Sequence, residues 1–356
     1  MNNIAVFYGR FSPVNLTHLS LTLSIITRLK IKEFCFFLLG DDVPFLVRKG
    51  LLRKGIRDYG IQRNGFYFID GQHKPLYQEI LLLQNRKQGK VYLISGEDKF
   101  PLLEKEEQFE KISKLSHLVL LPNREEHLYP KMGYLDIPPT DFDNSLLRSG
   151  SDLSTTECVL NDIADNRLYF CKEVASLMKE HRYLHSVSVA KTAYKMASKN
   201  QLGKPYLAFQ AGIFHDSGKD LPVEEQKKIV ETYFPEFLPC PEFAYHQFVS
   251  RYLAKEKFHV RDEDVLNAIM YHCTGKKDMD VLEKIIYAAD KDEPTRPFET
   301  KKGRLACYQD IQTGFIVTLK EQVSYFRKKN IPYMEHFLSK EMYHEYLGEE
   351  NNAENK

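Results

Sequence analysis

Short apolar runs dense in β-branched and aromatic residues recur through the first part of the chain, at Ile4–Tyr8, Glu33–Leu39, Phe66–Ile69, Val91–Ile94 and Leu118–Leu121. Apolar runs of this length read as strands buried on both faces. Between them, Leu19–Leu29, Leu76–Arg86 and Phe109–Leu115 carry apolar residues at helical spacing. Strand–helix alternation of this kind predicts an α/β domain with a parallel sheet and right-handed crossovers over residues 1–170. After Arg167 the rhythm changes, and segments of period 3.6 follow one another: Lys172–Ser198, Tyr206–Phe214, Val223–Tyr233, His246–Lys257, Glu263–Tyr271, Val281–Ala289 and Tyr308–Phe326. That pattern predicts an all-α domain over residues 171–345. The polar end, 346–356, is expected to be a disordered tail. There are no internal repeats, and no Pro/Gly/Ser-rich linker parts the halves.

Composition changes this picture little. A chain of 356 residues exceeds one average domain, and either half can bury a proper core. Net charge is +1, from 50 basic and 49 acidic side chains, so no broad field gathers nucleic acid or an anionic membrane. Neither is expected as a partner, and recognition of phosphate must be local. The six cysteines stand apart, at 35, 158, 171, 240, 273 and 307, which fits reduced thiols and not a disulfide framework or zinc site. The densest apolar run, Phe34–Leu39, is too short to span a bilayer, and no secretory leader pattern opens the chain. A cytoplasmic protein is expected.

Histidine is scarce, at 12 residues, so its placement is informative. His215 and Asp216 are adjacent at the end of the apolar helix Ala208–Phe214. Alone, the pair reads more readily as a helix cap, with Asp216 as the capping residue, than as a metal site. His185 sits on an earlier helix, His246 and His272 on later ones, and Asp290 ends the apolar run Ile285–Ala289. A lone inward histidine is more often a satisfied core residue. Four of them with two aspartates, each brought inward by apolar neighbours, are hard to satisfy without metal. Mixed imidazole and carboxylate ligands suit Fe, Mn or Zn over Ca²⁺, and six suffice for two ions clamping a phosphate.

The stretch Arg182-Tyr-Leu-His185 followed by Ala211-Gly-Ile-Phe-His-Asp-Ser-Gly-Lys219 resembles the HD superfamily of phosphohydrolases. Tyr271–Gly275, Met279–Asp290 and Glu293-Pro-Thr-Arg296 are similar to its YqeK-like branch, symmetrical diadenosine tetraphosphate hydrolases with a dinuclear centre in which iron is favoured. That resemblance covers residues 171–310. It implies metal ligation by His185, His215, Asp216, His246, His272 and Asp290, with Lys219 and Arg296 as catalytic phosphate partners. The reaction implied is hydrolysis of diadenosine tetraphosphate to two ADP. The HDxxK motif alone leaves a nucleoside monophosphate or a guanosine alarmone open as substrate.

In the first half, Ala5-Val-Phe-Tyr-Gly-Arg-Phe-Ser-Pro-Val-Asn-Leu-Thr-His18 reads as strand, turn and helix start, a junction that points backbone N–H groups at an anion. It resembles the HxGH region of nucleotidyltransferases, and more particularly the NadD-like nicotinate-nucleotide adenylyltransferases. Leu93–Asp98 is similar to that family's GxD strand end, and Asp143-Asn-Ser-Leu-Leu-Arg148 to its SSTxxR phosphate motif. The resemblance implies binding of ATP, with Mg²⁺, and of nicotinate mononucleotide. It places Gly9, Phe11, Asn15, His18, Gly96, Asp98, Ser145 and Arg148 around the nucleotide, with His18 catalytic.

This chain departs from that pattern at Asn15 for the first histidine, Thr17 for the glycine, Ser12 for an aspartate, and Gly40–Pro44 for a proline–histidine loop. Asn15 keeps a hydrogen-bond donor but no charge, and losing a transition-state donor of this kind costs ~3 kcal/mol, about a hundredfold in rate. Three readings of this half stay open: a working adenylyltransferase, a module that senses ATP for the hydrolase, and a remnant. The basic stretch Lys49–Arg57 reads as a solvated helix face, and His336 and His344 as surface residues of a polar helical tail. Cys273, beside His272, is expected to pack and not to ligate.

Overall fold

The computed structural model describes residues 2–62, 65–86, 89–141, 144–296 and 301–348. Contacts divide the chain into two compact units, Met1–Arg148 with Thr155–Val159, and Ser149–Ser154 with Leu160–Lys356. The change was expected at 170, and the side chains explain the earlier division. Thr155 Oγ1 donates to the Val14 carbonyl and Cys158 N–H to Asp58, which tie 155–159 to the first unit. Gln210 Nε2 donates to the Gly150 carbonyl and Tyr183 O–H to that of Ala164, which tie their segments to the second.

The first unit is a five-stranded parallel sheet in the order β3-β2-β1-β4-β5. Its strands are β1 (Asn3–Gly9), β2 (Ile31–Leu38), β3 (Phe66–Asp70), β4 (Val91–Gly96) and β5 (His117–Leu121), and its helices α1 (Leu16–Arg28), α2 (Phe45–Asp58), α3 (Leu76–Arg86), α4 (Phe100–Leu103) and α5 (Phe109–Leu115). Tyr8, Cys35, Phe37, Ile80, Leu93 and Ile112 form the core on one face. On the other, Phe7, Phe11, Phe34, Phe36, Phe66 and Phe68 make a ring-on-ring layer with centroids 4.8–6.2 Å apart. The chain reverses strand order between β1 and β4, which opens a crevice at the carboxyl ends of those strands.

The helices that follow are α6 (Ser145–Ser149), α7 (Glu157–Asp165), α8 (Phe170–Ser176), α9 (Glu180–Lys199), α10 (Pro205–Phe214), α11 (Val223–Tyr233), α12 (Tyr245–Glu256), α13 (Glu263–Met270), α14 (Val281–Asp292), α15 (Lys301–Gln309), α16 (Ile311–Lys329) and α17 (Phe337–Leu347). From Leu160 onward they form the all-α second unit. Helices α9 and α10 pack with backbones close enough that a Cβ on Gly212 would lie 2.6 Å from Ala190 Cα. Helix α14 is buried along nearly its whole length and opens with a capping box, Asp280 accepting from Glu283 N–H and Glu283 from Asp280 N–H.

Two stretches expected as single helices are broken. Lys172–Ser198 divides because Lys179 is extended and gives its N–H to Asp220. Tyr308–Phe326 divides at Asp310, which caps α16 through Thr313 N–H. Of the expected tail, Tyr346 and Leu347 close α17, and residues beyond 348 lie outside the described residues. Among the described residues no helix is long and apolar enough to cross a membrane, and the six cysteines are free.

Candidate functional sites

Helices α9, α10, α12 and α14, with the turn after α13, converge on one polar cluster inside the second unit. His185 comes from mid-α9, His215 caps α10 with Asp216 next to it, His246 opens α12, and Asp290 lies in the last turn of α14. His272 stands two residues past the end of α13, not on a helix as expected. His185 Nε2 is 3.0 Å from Asp290 Oδ1, and His215 Nε2 is 3.7 Å from the same oxygen and 3.8 Å from Asp216 Oδ2. His246 and His272 approach Asp216 Oδ1 at 3.4 and 3.6 Å, with their Nε2 atoms 3.1 Å apart. The donor atoms gather into two groups that share one histidine: His185, His215 and Asp290, and His215, Asp216 and His272.

The protons on these rings are set by their other nitrogens. Nδ1 of His215 lies 2.7 Å from the Gly212 carbonyl and Nδ1 of His272 2.7 Å from that of Ile269, so each Nδ1 carries a hydrogen and each Nε2 a lone pair. His215 Nε2 is wholly buried and has no hydrogen-bond partner. A buried lone pair left alone costs ~1–3 kcal/mol, and one aimed at two carboxylates is what a cation would satisfy. Burial alone would raise the Asp216 carboxyl, but His215, His272, His246 and Lys219 hold it well below its usual range. Asp290 is likewise held well below, against its burial, by Lys291, Arg296 and His185. Burial lowers His272 to about 4 and His246 well below its usual value. Two ionised acids beside the depressed imidazoles of His246 and His272 offer donors already deprotonated for metal, while Asp290 and Glu293 raise the pKa of His185 against its burial.

Four cations border the cluster. Lys219 Nζ is 3.2 Å from both oxygens of Asp216, and Arg182 Nη1 is 3.1 Å from Oδ2. Arg296 Nη2 is 2.5 Å from Asp290 Oδ1, and Lys291 Nζ is 2.7 Å from Oδ2. Lys219 and Arg296 were expected here. Lys291 was not, and Arg182 was recognised only as part of a motif. Cys273 belongs to neither donor group.

In the first unit, the crevice at the strand ends is a cavity of about 660 Å³. Gly9, Phe11, His18, Gly96, Asp98, Ser145 and Arg148 line it, together with Asp41, Asp42 and Lys99. Gly9 is needed there because a Cβ would lie 3.0 Å from the Phe11 ring. Asn15, expected beside them as a phosphate donor, does not line the cavity: its Oδ1 caps α1 on His18 N–H, and its Nδ2 donates to Asn144. His18 accepts Asn15 N–H on Nδ1, which leaves its proton on Nε2, and burial lowers its pKa to about 4. Arg148 is also engaged, its Nη2 donating to both oxygens of Asp42 at 2.7 and 2.9 Å and its Nη1 to Asp41 at 3.2 Å.

Glu97, between Gly96 and Asp98, is fully buried and accepts from Asn123 N–H, Leu128 N–H and Tyr134 O–H, fixing the loop after β5. A larger hollow of about 1180 Å³ follows edge strand β3 beside Lys49, Arg53, Lys54 and Arg57, so that face borders a concavity where a plain solvated face was expected. His336, expected on the surface, is buried: it caps α17 and donates from Nε2 to the Phe237 carbonyl.

The pattern of the HD domain family matches residues 182–295, a stretch that contains all six candidate ligands. A symmetrical bis(5'-nucleosyl)-tetraphosphatase of Bacillus subtilis is 36% identical over 166 residues, 45% of this chain and 87% of the relative. The chain belongs to this HD-domain tetraphosphatase family. Beyond the HD-domain half, similarity continues: a Mycoplasma genitalium protein named "probable nicotinate-nucleotide adenylyltransferase/Ap4A hydrolase" is 26% identical over 353 residues, 89% of this chain and 97% of the relative. A Plasmodium falciparum nicotinic acid mononucleotide adenylyltransferase aligns with 48% of this chain and 98% of its own, at 17% identity and a TM-score of 0.40. The chain joins a five-stranded parallel α/β half to the HD domain, and over both it is similar to that Mycoplasma protein.

Proposed function

We propose that the second unit is a metal-dependent hydrolase that splits diadenosine tetraphosphate symmetrically into two ADP. The observation that carries this reading is the buried, partnerless Nε2 of His215 between two ionised carboxylates. His185, His215, Asp216, His246, His272 and Asp290 would hold two ions, with iron favoured and manganese compatible with the same donors. Such ions, when bound, polarise phosphate oxygens and lower the pKa of water. The chain's own part is to keep the imidazoles of His215 and His272 in the Nε2-presenting form, to turn His185 Nε2 toward Asp290, and to set cations beside both acids. The side chains of Lys219 and Arg296 are 39% and 30% exposed, so their charge reaches a polyphosphate entering from solvent. Purified chain loaded with Fe²⁺ or Mn²⁺ is expected to convert diadenosine tetraphosphate to ADP alone. Release of AMP with ATP, or retained activity in a metal-depleted His215→Ala chain, would overturn the reading.

For the first unit we propose nicotinate-nucleotide adenylyltransferase activity, with ATP and its Mg²⁺ in the cavity at the strand ends. Neutral His18 would donate from Nε2 to phosphate, and Ser145 and Arg148 would hold the tail. A second reading, an ATP-sensing module of low activity, is favoured by one feature: Asn15 spends its amide on the helix cap. Pyrophosphate release from ATP plus nicotinate mononucleotide decides between them. ATP binding without release would favour the sensor. The six free cysteines support a cytoplasmic setting for both activities.

A further inference from the structure

The three histidines of the donor groups do not share one kind of partner at Nδ1. His215 and His272 stand at or just beyond helix ends, where carbonyls three residues back remain available, and each uses one. His185 lies in the interior of α9, where the helix's own bonds take up its carbonyls. Its Nδ1 partner comes instead from 108 residues away: Glu293 Oε1, at 3.0 Å. Glu293 is 1% exposed and follows α14 directly, three residues after Asp290.

The carboxylate of Glu293 is itself held on both oxygens. Oε1 also accepts from Thr295 Oγ1 at 2.7 Å, and Oε2 accepts from Ser188 Oγ and Thr295 N–H at 2.6 Å each. Bound in this way, the carboxylate cannot turn to become a ligand without breaking those bonds. What it can do is fix the plane of the His185 ring and keep Nε2 directed at Asp290. A carboxylate behind an imidazole also makes the ring a stronger electron donor than a backbone carbonyl does. Ser188 lies one turn along α9 from His185, so the clamp ties α9 to the end of α14 on the metal-facing side.

His185 belongs to only one of the two donor groups, the one with His215 and Asp290. We infer that Glu293 is a positioning residue for that half of the centre, and that it makes the two metal positions unequal in affinity. The inference rests on the dinuclear reading above.

The test is titration of the metal-free full chain with Mn²⁺, read as stoichiometry and stepwise affinity, with thermal midpoints recorded with and without the ion. The wild-type chain is expected to take two ions. Glu293→Leu is expected to bind one of them roughly 10- to 100-fold more weakly, as loss of a partner behind a ligand usually does, and to keep the other. Its metal-free midpoint should change less than the increment gained on adding Mn²⁺. Glu293→Gln retains a carbonyl that can accept from Nδ1 and should fall between, and Ser188→Ala should weaken the same step by less. If Glu293→Leu does not fold, the glutamine and Ser188→Ala variants carry the test on the same criterion.

Two unchanged steps in these variants, or equal weakening of both, would overturn the inference while leaving the metal centre intact. A wild-type chain that binds no Mn²⁺ or Fe²⁺ would overturn the metal reading itself.

Discussion

His18 is buried with its Nδ1 taken by Asn15 N–H, and burial, aided by the charge of Lys99, lowers its pKa to about 4. An unfolded histidine takes its proton near 6.5, so between these values the unfolded chain binds more protons than the folded one. The stability due to His18 is therefore complete above pH 6.5 and declines as pH falls toward 4. NMR titration of the ring in the full chain should give a midpoint near 4, and a midpoint near 6.5 would contradict the buried, capped geometry. Arg148 offers a second expectation. Asp42 occupies both its Nη2 contacts, so Asp42→Asn should tighten ATP, by at most about fivefold, since an exposed pair is worth ~1 kcal/mol or less. Isothermal titration with Mg-ATP reads it, and weaker binding would show that the acid helps hold the nucleotide.

At the scale of elements, the α9–α10 contact decides whether His185 and His215 face each other, with ring centroids 5.3 Å apart. Gly212→Ala would force the helices apart where a Cβ meets Ala190 backbone at 2.6 Å. We expect about 1–3 kcal/mol lost in urea unfolding of the metal-free chain, as for other overpacked sites, together with weaker Mn²⁺ binding.

The strands were legible because each is an unbroken apolar run, and observed ends differ from expected ones by no more than two residues. Leu76–Arg86, Phe109–Leu115 and Val223–Tyr233 were legible through their 3.6 period. The breaks at Lys179 and Asp310 were not, because one depends on Asp220, distant in sequence, and the other on a cap inside an apolar period. The six candidate ligands could be read because each histidine or aspartate stands beside apolar residues that turn it inward. Glu293 could not, since its role depends on pairing across 108 residues. Asn15 misled for the opposite reason: it keeps the motif's place but serves as a cap.

At the scale of the whole molecule, each unit has its own core, and the candidate ligands all lie in the second. Chelation should therefore lower only one of two calorimetric transitions. Mn²⁺ at a hundred times its Kd should restore ~2.7 kcal/mol of stability. Adenylyl transfer, measured with Mg²⁺ present, should survive loss of the second unit's metal. A single transition shifting as one body would show that the units unfold together.

The unsatisfied Nε2 of His215 has a consequence outside catalysis. Without a cation, that atom stays desolvated and unpaired, so the apo chain opens more often than the loaded one. Proteases sample what opens, and ~1–2 kcal/mol is enough to change a protein's abundance several-fold. The amount of this protein would then follow the supply of metal with no dedicated sensor, and apo chain should be cleaved faster than loaded chain in limited proteolysis.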